Sequence, residues 1–195
     1  MNFIRGRIKS ERGVAMVEFA FVLPLLALLV VGMVEMGFAF REKLLVDNGV
    51  QTAARTGSSL GQAEDADLRI LEALEQSFAK LPANGDGQVL RAQVYRVNSD
   101  GSPDPTATNT YLYQYDSNPA ACNWIPCPAT EAAHGPWKPS LRDTRLDGGL
   151  DSLGVKVYYG HDWILGTGYI LSDVSCVVPA NCWRETAVMR LEPTE

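Results

Sequence analysis

Two sets of residues in this chain have the type and setting to do chemistry. The first is Glu18, a lone carboxylate five residues after Gly13 at the mouth of an apolar run over residues 19–34 that holds no charge. An ionised group inside a bilayer costs about 3 kcal/mol on insertion scales, so a carboxylate at that boundary invites a functional reading. The second is four cysteines in two close pairs, Cys122 with Cys127 and Cys176 with Cys182. An even count in a small exported domain points to two disulfides, for which three pairings are possible. The spacings, x4 and x5, are not the tight C-x2-C of a zinc knuckle, so neither a metal nor another cofactor is expected.

Other constellations are weaker. His134 and His161 are the only histidines. His161 beside Asp162 has the residue types of a base and its orienting carboxylate, but neighbours in a strand point to opposite faces and no serine sits in a nucleophile elbow. It reads as a surface histidine. Asp100-Gly101-Ser102-Pro103-Asp104 lacks the alternating ligands and the distant bidentate Glu of a calcium loop, and reads as a solvated turn. Gly85-Asp86-Gly87 is too short to cradle a phosphate. Trp124, Trp137, Trp163 and Trp183 lie near the cysteine pairs, where packing around disulfides is favoured over a sugar or protein contact surface. No catalytic constellation emerges, and the chain is not expected to be an enzyme.

The element that must position Glu18 is a long helix. The 16 residues of the uncharged run span about 24 Å at helical rise, against about 30 Å of hydrocarbon. Flanking residues 14–17 and 36–40 make up the difference. Pro24 lies inside, where a membrane helix tolerates it with a kink. Before the run, Arg5, Arg7, Lys9 and Arg12 stand against Glu11, and this basic leader places residues 1–13 on the cytoplasmic side. Three readings stay open: a secretory signal peptide cut after the run, an uncut membrane anchor, and a chain cut after Gly13 that keeps its helix. Residues 34–37 make a poor site for the first.

After the membrane the helix is expected to continue to about residue 59, with Phe40, Leu44 and residues 50–54 as its apolar face and glycines 57 and 61 ending it. Leu68, Leu71, Leu74, Phe78 and Leu81 recur at three and four and predict a second helix over 64–80, stopped by Pro82. Asn84-Gly85-Asp86-Gly87 is a turn. Strands are expected over 88–97, with Leu90, Ala92 and Val94 on one face, and around Tyr111, Tyr113 and Tyr115. A polar loop is expected over 98–109 and an irregular stretch over 116–149. Leu153, Val155, Val157 and Tyr159 alternate as a strand, residues 163–171 form a short helix or apolar loop, and 184–191 close the sheet. The fold class is α+β, a helix laid against an antiparallel sheet. Three segments result: the leader 1–13, a transmembrane helix 14–60 and a head 61–195.

The 195 residues carry a net charge of −6, and setting aside the leader's +3 leaves −9. An acidic exterior argues against nucleic acid or anionic lipid as the head's ligand.

Residues 11–26, from Glu11-Arg12-Gly13-Val14 through Glu18-Phe19 to Pro24-Leu25-Leu26, resemble the TadE-like family of tight-adherence pilus proteins. Residues 35–40 and 51–57 resemble the same family's helix continuation, and 186–192 its final strand. The resemblance implies a pseudopilin or minor pilin, cut by a prepilin peptidase between Gly13 and Val14. Glu18 is then the fifth residue of the mature chain, paired with a new N-terminal ammonium of its own or a neighbouring subunit. The implied partners are the inner membrane, the peptidase, other pilin-like subunits and the assembly platform, with the head in the periplasm. The alternative is an uncut single-pass periplasmic scaffold or receptor.

Overall fold

The computed structural model of the chain describes residues 5–79, 89–114, 118, 122–147, 149–160 and 182–193. The chain divides into two units, Met1–Phe40 and Arg41–Glu195. Helix α1 (Arg5–Leu60) supplies the described part of the first unit and the opening of the second.

In the first unit, α1 runs through Pro24 without interruption. Every side chain described from Val14 to Val30 is exposed, among them Met16, Phe21 and Leu25 at 71% or more. The helix is long and apolar enough to cross a membrane.

In the second unit α1 changes character. Glu42, Val46, Gly49, Val50, Ala53, Ala54, Gly57 and Ser58 are buried at spacings of one, three and four, one face of a helix. Leu44, expected on that face, is 60% exposed, as is Phe40 just before the division. The sequence was misread there because two large apolar residues outweighed a stripe of small ones. Close packing explains the stripe: a Cβ on Gly57 would lie 2.6 Å from the Cδ1 of Ile70. The helix therefore passes through Gly57 and ends at Leu60, with Gly61 at φ 53°, a conformation glycine takes at little cost.

Helix α2 (Ala66–Phe78) buries Asp67, Ile70, Leu71, Leu74 and Phe78. Five strands follow: β1 (Val89–Val97), β2 (Pro103–Tyr113), β3 (Trp124–Ile125), β4 (Ser152–Tyr159) and β5 (Trp183–Arg190). Their order in the sheet is β3-β2-β1-β4-β5, with every neighbouring pair antiparallel. Val46, Val50, Ala53 and Ala54 of α1 and the apolar face of α2 form one core with Ala92, Val94, Tyr111, Leu153, Val155, Val157 and Ala187 from the sheet. This is the α+β arrangement expected from the sequence.

β2 begins at Pro103, so most of the expected polar loop is strand and only residues 98–102 turn. The reason lies in alternation without hydrophobicity. Ala107, Asn109 and Tyr111 point inward while Thr106, Thr110 and Leu112 face out. Leu90 is only half-buried because the register slips between Val89 and Arg91. The expected turn over 84–87, Tyr115, and residues 161–181 with His161, Trp163 and Cys176 lie outside the described residues.

Candidate functional site

Gly13, Val14 and Glu18 all lie within α1. Among the described residues, Gly13's own neighbours and helix backbone aside, no atom comes within 4 Å of where a Gly13 side chain would begin, so no packing contact described there requires a glycine. Val14 is 56% exposed, and Glu18 is exposed amid apolar neighbours that include Val17 and Phe19. One helical turn separates residue 14 from residue 18. The three residues present a small peptide position, a backbone nitrogen and a carboxylate on an unobstructed helix surface.

The head contains a polar cluster that the sequence did not single out. Asp67 of α2 is fully buried and accepts three hydrogen bonds. Arg142 donates to its Oδ1; Asn109 Nδ2, at 2.8 Å, and Tyr111 Oη, at 2.5 Å, donate to its Oδ2. Arg142 is itself buried, reaches toward the Gly61 carbonyl at 3.5 Å and lies with its guanidinium carbon 4.7 Å from the centre of the Trp137 ring. Asn109 also donates to the Trp137 carbonyl at 2.8 Å and accepts from the Trp137 amide at 2.9 Å. Burial, then the Asp67 carboxylate, pushes the Tyr111 hydroxyl well above its usual range. Sealed from solvent, this cluster ties the irregular segment 131–151 to α2 and the sheet. Its one sequence signal was an aspartate on the inward stripe of an amphipathic helix.

A cleft of about 300 Å³ lies among Lys43, Tyr159, Cys182, Trp183, Arg184 and Glu185. Lys43 Nζ approaches Glu185 Oε1 at 3.6 Å, and Tyr159 Oη donates to the same oxygen at 3.5 Å. Burial, followed by Glu185, raises the Tyr159 pKa above the usual phenol range.

Cys122 and Cys127 form a disulfide, and Cys182 is disulfide-bonded as well. Beside the first bridge, Trp124 is buried against Phe78 and Tyr113, with ring centres 6.4 and 5.0 Å away. Trp137 packs on Arg142 instead of on a bridge. His134 is buried, with Nδ1 2.9 Å from the Thr130 carbonyl. Asp100 accepts hydrogen bonds from the Ser102 amide and hydroxyl, so its carboxylate shapes the turn at Gly101. Among the described residues no three His, Cys, Asp or Glu side chains converge to hold a metal.

No curated protein matches this chain. No solved structure matches it. The family model described as TadE-like protein matches residues 13–55, from the glycine before the apolar helix to the turns that enter the head core. Over that segment the chain is similar to the TadE-like family.

Proposed function

We propose that this chain is a pilin-like structural subunit, a pseudopilin or minor pilin, in assembly of a bacterial tight-adherence pilus. It sits in the inner membrane with residues 1–13 in the cytoplasm and the head in the periplasm, and it has no enzymatic role. The observation that carries the reading is continuity: the matched segment opens at Gly13, and one unbroken helix runs from the basic leader through the apolar span into the head core. A prepilin peptidase cuts between Gly13 and Val14. The open space around Gly13 supports this, because the demand for a small residue then comes from an enzyme and not from packing.

Cutting creates an ammonium at Val14. That charge offsets part of the cost of keeping Glu18 ionised at the apolar boundary. First and fifth residues of a helix lie about 6 Å apart along the axis, so the terminus of a neighbouring subunit fits Glu18 better than its own. The exposure of Glu18 leaves it accessible to that neighbour. The test is the Glu18→Gln variant in a strain lacking the native copy, with protein levels matched. The protein is expected to be made, inserted and cut, yet to fail in piliation, with Glu18→Asp partly active. Full piliation by the Gln variant rejects the mechanism, and intact-mass analysis showing Met1 retained beside the cognate peptidase rejects processing.

A further inference from the structure

The cleft of about 300 Å³ is built where α1 meets β5, the last strand of the sheet. Lys43 comes to it from α1, and Trp183 and Glu185 from the inward face of β5, beside Tyr159 of β4. Arg184 borders it too, but alternation along β5 carries its side chain to the opposite face. The volume is at the lower end of the range for ligand sites, about 300–1,000 Å³, which fits a small polar group and not a peptide.

Two opposite charges stand side by side there. Lys43 Nζ and Glu185 Oε1 are 3.6 Å apart, against about 2.7–2.9 Å for a tight charge-assisted bond, and their side chains are 55% and 18% exposed. Tyr159 Oη reaches the same oxygen only at 3.5 Å. An ammonium has three donors and a carboxylate about four acceptor sites, so contacts this long leave both with capacity for a ligand. A pair of this kind is matched by a molecule that itself carries a cation and an anion a few bonds apart. A purely anionic group gains Lys43 but meets Glu185 and a head whose residues 41–195 hold 13 Lys and Arg against 20 Asp and Glu. A purely cationic group meets Lys43.

The rings decide which cation. Trp183 and Tyr159 pack edge to face at 5.9 Å, but Tyr159 is 1% exposed, so among the described residues one ring alone lines the opening and no cage for a quaternary ammonium forms. A carboxylate with open acceptor sites calls for N–H donors, hence a primary ammonium. Connectivity decides the source. Lys43 follows Phe40, the end of the apolar segment, by about 4.5 Å of helical rise along α1. That is within the polar layer of a bilayer, about 5–7 Å on each side of the hydrocarbon.

We propose that this cleft binds the phosphoethanolamine headgroup of a membrane phospholipid, with Glu185 taking the ammonium and Lys43 the phosphate. The inference needs α1 in the membrane but not the pilus reading. Native mass spectrometry of the full-length chain, released from detergent with short-chain lipids added in equal amounts, tests it. Phosphatidylethanolamine is expected to be retained about tenfold over phosphatidylglycerol and phosphatidylcholine, as one charge-assisted hydrogen bond allows. Lys43→Gln and Glu185→Gln are each expected to remove that preference with unchanged circular dichroism. Arg184→Gln, on the opposite face, is expected to leave it intact. Equal retention of the three lipids, or a preference that survives both cleft variants, assigns the lipid to the surface of the apolar helix and overturns the proposal. A preference for phosphatidylglycerol overturns it as well, since Lys43 then acts without Glu185. Free phosphoethanolamine binding as tightly as the lipid assigns the cleft to a soluble aminoalkyl phosphate and overturns the membrane source.

Discussion

Replacing Asp67 by Ala removes the carboxylate on which Arg142, Asn109 and Tyr111 converge. The Arg142 guanidinium then stays buried with one long contact to the Gly61 carbonyl and the face of Trp137. Removing one member of a buried ion pair costs about 3–5 kcal/mol, because an uncompensated charge remains. Two hydrogen bonds to a charged acceptor go with it, each worth about 1.5–3 kcal/mol, which puts the change at the upper end of that range. Against a domain stability of about 5–15 kcal/mol the loss is large. Arg142→Met is milder, since Asp67 keeps the Asn109 and Tyr111 donors. The double variant removes both charges, and its loss is expected to fall short of the sum by about 2–3 kcal/mol. Urea unfolding of the full chain in detergent, followed by fluorescence of the buried Trp124 and Trp137, reads all three. A loss under about 1 kcal/mol for Asp67→Ala, or strict additivity in the double variant, refutes the view that this pair is a single coupled unit.

Gly13→Leu is expected to leave the helix intact, since nothing lies within 4 Å, and to block processing; intact mass of the membrane fraction reads both. Cys122→Ser opens a loop closed across a separation of five residues, and the chain-entropy model puts the loss at about 2 kcal/mol. The head is expected to stay folded with a lower melting temperature. The Thr106 hydroxyl, Arg96 and the Thr106 amide lower the Asp104 pKa to about 2. A carboxylate depressed on folding contributes stability above its unfolded pKa near 4, and that contribution is lost as pH falls toward 2. Thermal melts between pH 7 and 2 are expected to show a smaller acid-induced drop for Asp104→Asn than for the unchanged chain; identical profiles reject the assignment.

What the sequence revealed followed the strength of each local pattern. Val155 and Val157 alternate with a solvent-facing lysine, and Leu71, Leu74 and Phe78 recur at helical spacing, so β4 and α2 were legible within one window. The first half of β2 was hidden because its inward residues, Ala107 and Asn109, look no more apolar than its outward threonines. Asn109 is inward because it serves Asp67 and Trp137, partners 42 and 28 residues away, and no local period encodes such a pairing. Arg142 has the same difficulty: it sits in an irregular segment, 75 residues from its carboxylate. The segment that matches the family model was legible for the opposite reason, since leader charge, Gly13, the apolar run and Glu18 all fall within residues 5–34.

The end of α1 and the end of the chain are sewn together. The Ser58 hydroxyl donates to the Arg190 carbonyl at 2.5 Å across 132 residues, and the Glu192 amide donates to the Ser58 carbonyl at 3.0 Å. Leu191 fills the core between them, its amide bonded to the Asp151 carbonyl at 2.9 Å. The first and last parts of the head are thus each other's partners, and a loop of this length has to close before either is satisfied. The head cannot finish folding until β5 and Leu191 have been made. Any product that stops short of β5 lacks an edge strand of the sheet and, with Ala187 and Leu191, part of its core.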